Sequence, residues 1–94
     1  MSNIVLYTTL ACPYCKMAKQ LLASKKSVTI QEIRIDLETQ QKMEMIRLTG
    51  QRTVPQIFVN GTHIGGYDDL CALNQTGKLD TLLIDKEGSS WPQR

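Results

Sequence analysis

Two cysteines separated by two residues, Cys12-Pro13-Tyr14-Cys15, are the side chains of this sequence whose type and spacing point most directly to chemistry. A short apolar run, Ile4-Val5-Leu6-Tyr7, precedes them, and Met17, Ala18, Leu21 and Leu22 follow at helical spacing. The pair therefore lies where a strand buried on both faces hands over to an amphipathic helix. Pro13 suits the first helical turn, because its φ is already helical and its missing N–H would have had no partner there. Thiols three residues apart on that turn face the same way, within reach of a disulfide. The chemistry that follows is thiol–disulfide exchange. Cys12, at the helix N-terminus, meets unpaired N–H groups and the positive end of the helix dipole, both of which favour a thiolate. Cys15 sits a turn further in, more enclosed, and is placed to resolve a mixed disulfide formed on Cys12.

Composition sets the frame around that pair. Ninety-four residues make one small domain with a modest core. No apolar run approaches the roughly 18 residues that span a membrane, and Ile4 to Tyr7 is too short for a signal segment. A reducing, cytoplasmic location is the expectation, since three cysteines do not make a disulfide framework. A net charge of +2 gives no footprint for nucleic acid. The charge is nevertheless unevenly placed: residues 1–31 hold Lys16, Lys19, Lys25 and Lys26 and no acid. That positive field surrounds the cysteines and favours anionic partners, although Lys25 and Lys26 read first as a solvated helix face.

The elements that must position the pair read in order along the chain. A strand over about 3–8 leads into a helix over about 13–24, then a second strand over about 28–35. In that strand Val28 and Ile30 share one parity while Ile33 and Ile35 share the other, as a bulge or an offset start would produce. A helix over about 38–48 has Met43 and Ile46 facing inward and ends at Gly50. Gln56-Ile57-Phe58-Val59, Asn60-Gly61 and Thr62-His63-Ile64 make a hairpin. Asp68 or Asp69 can cap a third helix containing Leu70, Ala72 and Leu73. Gly77 breaks it, and Leu79, Leu82, Leu83 and Ile84 form a last amphipathic turn or two. From Asp85 the composition is polar, so a loose tail over 85–94 is expected beyond a domain over 1–84, with Trp91 docked or free. The order β-α-β-α-β-β-α gives an α/β fold: a four-stranded mixed sheet, parallel through the right-handed βαβ crossover and antiparallel through the hairpin, with helices on both faces. That is a thioredoxin-like architecture.

Three segments, in order and suitably separated, now carry a closer resemblance: Cys12-Pro13-Tyr14-Cys15, Thr53-Val54-Pro55, and Gly65-Gly66-Tyr67-Asp68-Asp69-Leu70. Together they resemble the signatures of the dithiol glutaredoxins, over roughly residues 3–84. The resemblance implies an enzyme that uses glutathione as co-substrate to reduce protein disulfides and protein–glutathione mixed disulfides, with no metal. It implies Cys12 as nucleophile and Cys15 as resolving thiol. It implies that Thr53, Val54 and Pro55 form a loop with a cis proline, whose Val54 backbone pairs with the cysteinyl peptide of glutathione. Gly66, Asp68 and Asp69 fall where the γ-glutamyl end is held, and Tyr14 and Arg52 flank the tripeptide. These roles make physical sense. An extended peptide pairs with exposed backbone as an added strand, Arg52 can hold the glycine carboxylate with Gln51 adding a hydrogen bond, and glycines permit close backbone approach. Partners implied are disulfide-bonded or glutathionylated proteins, with ribonucleotide reductase as a family expectation, and the chain is expected to be a monomer. One position departs from the pattern. Thr9 stands where many members carry a lysine, and Lys16 or Lys19 are the cations that can replace it.

Competing readings are weaker. A zinc site from Cys12, Cys15, His63 and Cys71 would have to form on a helix start and a strand, a poor zinc knuckle. A [2Fe–2S] cluster shared between subunits is disfavoured by Pro13. Cys71, among apolar residues, reads as a small buried hydrophobe or as a third reactive thiol, and His63 as a surface strand residue.

Overall fold

The computed structural model describes residues 2–25 and 28–88. The chain runs β1 (Ser2–Thr8), α1 (Pro13–Ala23), β2 (Val28–Arg34), α2 (Thr39–Thr49), β3 (Gln56–Val59), β4 (Thr62–Gly65), α3 (Tyr67–Gln75) and α4 (Lys78–Gly88). The four strands form one mixed sheet in the order β2-β1-β3-β4. β1 pairs parallel to β2 and antiparallel to β3, and β3 pairs antiparallel to β4.

Alternation along β1 divides the interior in two. Ile4 and Leu6 point to one face and pack with Ala18 and Leu22 of α1, Leu70 of α3 and Leu79 of α4. Tyr7 points to the other and packs with Ile35 and with Met45 of α2. The parity change in β2 has the same origin. Its register with β1 is unbroken from Val28 to Arg34, so it contains no bulge. Val28 and Ile30 serve the first core, while Ile33 and Ile35 serve the second. The one register shift in the sheet's described pairs lies instead between β3 and β4, at Ile57 and Phe58.

Three local expectations are corrected. Met43 is exposed, and Met45 with Ile46 is the pair of α2 that faces the sheet; the helix is rotated so that Met45, one residue before Ile46, takes the central position against Tyr7. The last helix is longer than a turn or two and runs past Ile84 to Gly88. Polar composition marked 85–88 as tail, but Asp85, Lys86 and Glu87 are compatible with a helix and Gly88 is the first breaker. Trp91, named above as docked or free, lies outside the described residues. Finally, α3 is capped at Gly66, with Asp69 at its third position accepting the Gly66 N–H at 3.1 Å, so the carboxylate acts from inside the helix.

Turn chemistry accounts for the remaining boundaries. Gly50 ends α2 with φ 71°. Asn60 and Gly61 both have positive φ, 50° and 86°, the requirement of a two-residue hairpin turn. Among the described residues no helix is long and apolar enough to cross a membrane.

Candidate active site

Cys12 is the N-cap of α1, with Pro13 at the first helical position. Its Sγ accepts the Cys15 backbone N–H at 3.2 Å, and its thiol faces the Val54 carbonyl at 3.8 Å. A donor aimed at the sulfur, at the positive end of the helix, is placed to stabilise charge there. Both thiols are free. Both are buried, Cys12 at 9% exposure and Cys15 at 2%. Burial, reinforced by hydrogen bonding to Cys12, pushes the Cys15 thiol up to about 12, with a backbone hydrogen bond from Thr9 acting in the opposite direction. The thiolate is the form that alkylates, so its population at Cys15 is small at neutral pH and grows about tenfold per pH unit up to that value. Iodoacetamide at pH 7 is therefore expected to label Cys12 and spare Cys15, with Cys15 labelling rising steadily as the pH is raised; mass spectrometry of digested protein checks this, and equal labelling at pH 7 would contradict the enclosure of Cys15.

Beside Cys12 lies a groove of about 240 Å³ lined by Tyr14, Thr53, Val54, Pro55, Gly66, Tyr67 and Asp68. The Val54–Pro55 peptide bond is cis. Six of the residues singled out from the sequence thus share one wall system. Asp69 lines an adjoining depression with Gln51 and Thr53. Arg52 is exposed on the loop and lines neither.

Several residues that shape the site were not singled out. Tyr67 lies against the Tyr14 ring, centroids 5.8 Å apart, and closes the groove between them. It stands between Gly66 and Asp68, and that position is its only signal in the sequence. Gln56 is buried, and its Nε2 donates to the Thr53 carbonyl at 3.0 Å while its Oε1 meets His63 Nε2 at 2.8 Å. A glutamine opening an otherwise apolar strand is the trace of this brace. Asp36 receives both guanidinium bonds of Arg34 at 2.7 Å and the Leu10 N–H at 3.2 Å, tying the loop before Cys12 to the end of β2.

Of the two cations named as replacements for the one missing at Thr9, Lys19 pairs with Glu32, its ammonium 2.6 Å away. Cys71 is half-buried, and its hydrogen bond holds the Tyr67 phenol above its ordinary range. His63 is exposed and lies against Phe58, 5.0 Å between ring centroids. Among the described residues, no group of His, Cys, Asp and Glu is gathered as a metal site would need.

Known proteins match this arrangement in sequence and in shape. The glutaredoxin family model matches residues 4–64. The chain is 52% identical over 83 residues to glutaredoxin 3 of Escherichia coli K12, covering 88% of this chain and 99% of that protein. It is likewise 52% identical to a glutaredoxin of Pseudomonas aeruginosa, covering 88% and 98%. The crystal structure of wheat glutaredoxin superposes with a TM-score of 0.78 at 40% identity, over 87% of this chain and 79% of that one. That of a buckwheat glutaredoxin–glutathione complex superposes with a TM-score of 0.79 at 32% identity, over 89% and 78%. The thioredoxin-like sheet, the cysteine pair at a helix start and these matches together place the chain in the glutaredoxin family of thiol–disulfide oxidoreductases.

Proposed function

We propose that this chain uses glutathione to reduce protein–glutathione mixed disulfides and protein disulfides through Cys12 and Cys15. The observation that carries the reading is the contact of Cys12 Sγ with the Val54 carbonyl, which sets the sulfur at the wall of the groove. An extended tripeptide laid along Val54 pairs with that backbone as an added strand and brings its sulfur to Cys12. Thr53 and Pro55 shape the loop, with Tyr14 and Tyr67 enclosing the peptide from the helix side. At the far end, the N-terminal N–H groups of α3 suit the γ-glutamyl carboxylate, and Asp68 suits its amine. Asp69 acts there by holding Gly66, and Arg52, exposed nearby, reaches the glycine carboxylate from solvent.

The reaction is an exchange in which no atom is lost. Cys12 thiolate attacks the glutathione sulfur of a glutathionylated protein; that S–S bond breaks, the protein thiol leaves, and Cys12 carries the glutathione. A second glutathione thiolate attacks it, forming glutathione disulfide and restoring Cys12. With a protein disulfide, Cys12 thiolate attacks one sulfur and the other leaves as a thiol; Cys15 then attacks the Cys12 mixed disulfide, the second substrate thiol leaves, and two glutathiones reduce the Cys12–Cys15 bond and leave as glutathione disulfide. Substrates are glutathionylated and disulfide-bonded proteins of a reducing cytoplasm, ribonucleotide reductase among the candidates, met by a monomer.

Cys15→Ser separates the two routes. Deglutathionylation of a peptide is expected to stay within about twofold of the parent, while reduction of a protein disulfide falls by at least about tenfold. Coupled assays on the two substrates measure both, and loss of both activities would overturn the assignment of roles.

A further inference from the structure

Cys15 opens onto a second crevice, of about 160 Å³, whose other walls are Thr9, Leu10, Lys16, Lys19, Glu32 and Arg34. It shares no lining residue with the groove beside Cys12. Lys19 follows Cys15 by four positions, so the two side chains share a face of α1. An ammonium free on that face would favour a thiolate at Cys15. It is held on Glu32 instead, at 2.6 Å, while the Thr8 hydroxyl donates to the other Glu32 oxygen at 2.7 Å. These two bonds hold the Glu32 carboxyl below its ordinary range, so it stays charged at neutral pH. Arg34, the other β2 side chain on the crevice, is engaged by Asp36, and Lys16 is exposed at the rim. Cys15 thus faces a fixed anion, whose charge adds to burial in opposing its ionisation.

We propose that Glu32 decides which thiol resolves the glutathionylated enzyme: by clamping Lys19 and setting a carboxylate across the crevice, it slows attack by Cys15 and leaves the Cys12 adduct to a second glutathione. This rests on the dithiol reading above. In the step concerned, the Cys15 proton passes to solvent, a Cys15–Cys12 sulfur bond forms, the Cys12–glutathione bond breaks, and glutathione leaves as a thiolate that is then protonated. Glu32 and Lys19 touch no reacting atom; they set the charge around Cys15.

The two partners predict opposite signs. Glu32→Gln removes the anion, frees Lys19, and keeps an oxygen for Thr8. Lys19→Met removes the cation and leaves the carboxylate. To read them, the reduced full-length chain is mixed with one equivalent of glutathione disulfide and acid-quenched at intervals. Intact mass after alkylation then gives the Cys12 adduct and the Cys12–Cys15 disulfide, at several pH values. We expect the adduct in Glu32→Gln to close at least about threefold faster than in the parent, with its rate profile moved to lower pH, and in Lys19→Met to close more slowly. Unchanged rates, or both variants moving in the same direction as general loosening would make them, overturn the role of Glu32 while leaving the dithiol route intact. A parent chain that never forms the internal disulfide overturns the dithiol route itself.

Discussion

Replacing Cys12 by serine is expected to reduce turnover of both substrate classes to the uncatalysed background, a loss of at least about 10³-fold, or about 4 kcal/mol of barrier. A hydroxyl keeps nearly the shape of a thiol but is scarcely ionised at neutral pH, and only the anion attacks a disulfide. The substitution is also structurally mild. Cys12 serves as N-cap by accepting the Cys15 N–H, and serine is among the preferred residues for that task. Thermal unfolding is therefore expected at or slightly above the parent value, so lost turnover can be assigned to chemistry. Retained turnover in either assay would show that another nucleophile carries the reaction, and Cys71, half-buried on α3, would be the first to test.

Gly65→Ala is expected to damage both stability and substrate binding. Gly65 has φ 119°, a conformation that side chains disfavour, and a Cβ there would run into the Asp69 carboxylate. The backbone strain costs about 1–3 kcal/mol, and loss of the Asp69–Gly66 hydrogen bond adds about 1 kcal/mol. Together they correspond to a melting temperature lower by about 10 °C or more for a domain of this size. Displacing Asp69 also releases Gly66, which lines the groove, so KM for a glutathionylated peptide is expected to rise by about tenfold. Calorimetry and steady-state kinetics read the two effects. A variant with parent stability and parent KM would mean that Asp69 does not hold this wall.

The helix start at the cysteine pair, the mixed sheet and the hairpin were legible in the sequence because each rests on short-range rules. Proline one position after Cys12 marks the helix start, and Asn60-Gly61 allows little but a tight turn. The groove was legible for a different reason: its residues cluster in three short segments, so resemblance alone gathered Tyr14, Val54, Pro55 and Asp68. What escaped depends on rotation and on long-range contact. Met43 and Met45 are the same residue type two positions apart, and which one faces Tyr7 is decided by how α2 docks. The change of parity in β2 needed the knowledge that one strand serves two cores. Lys19, named as a cation that can replace the one missing at Thr9, pairs with Glu32 on β2, and nothing local announces that partner. Asp36 and Gln56 are polar residues at strand ends, and nothing local says that one ties down Leu10 and the other Thr53.

The proposed function has glutathione reaching Cys12 through the groove at Val54. It is tested most directly by turnover of a glutathionylated peptide with glutathione, NADPH and glutathione reductase, run beside a reaction in which thioredoxin reductase replaces glutathione and its reductase. Turnover is expected with the first system and none with the second. Turnover with thioredoxin reductase alone would keep the exchange at Cys12 and Cys15 but contradict the glutathione site.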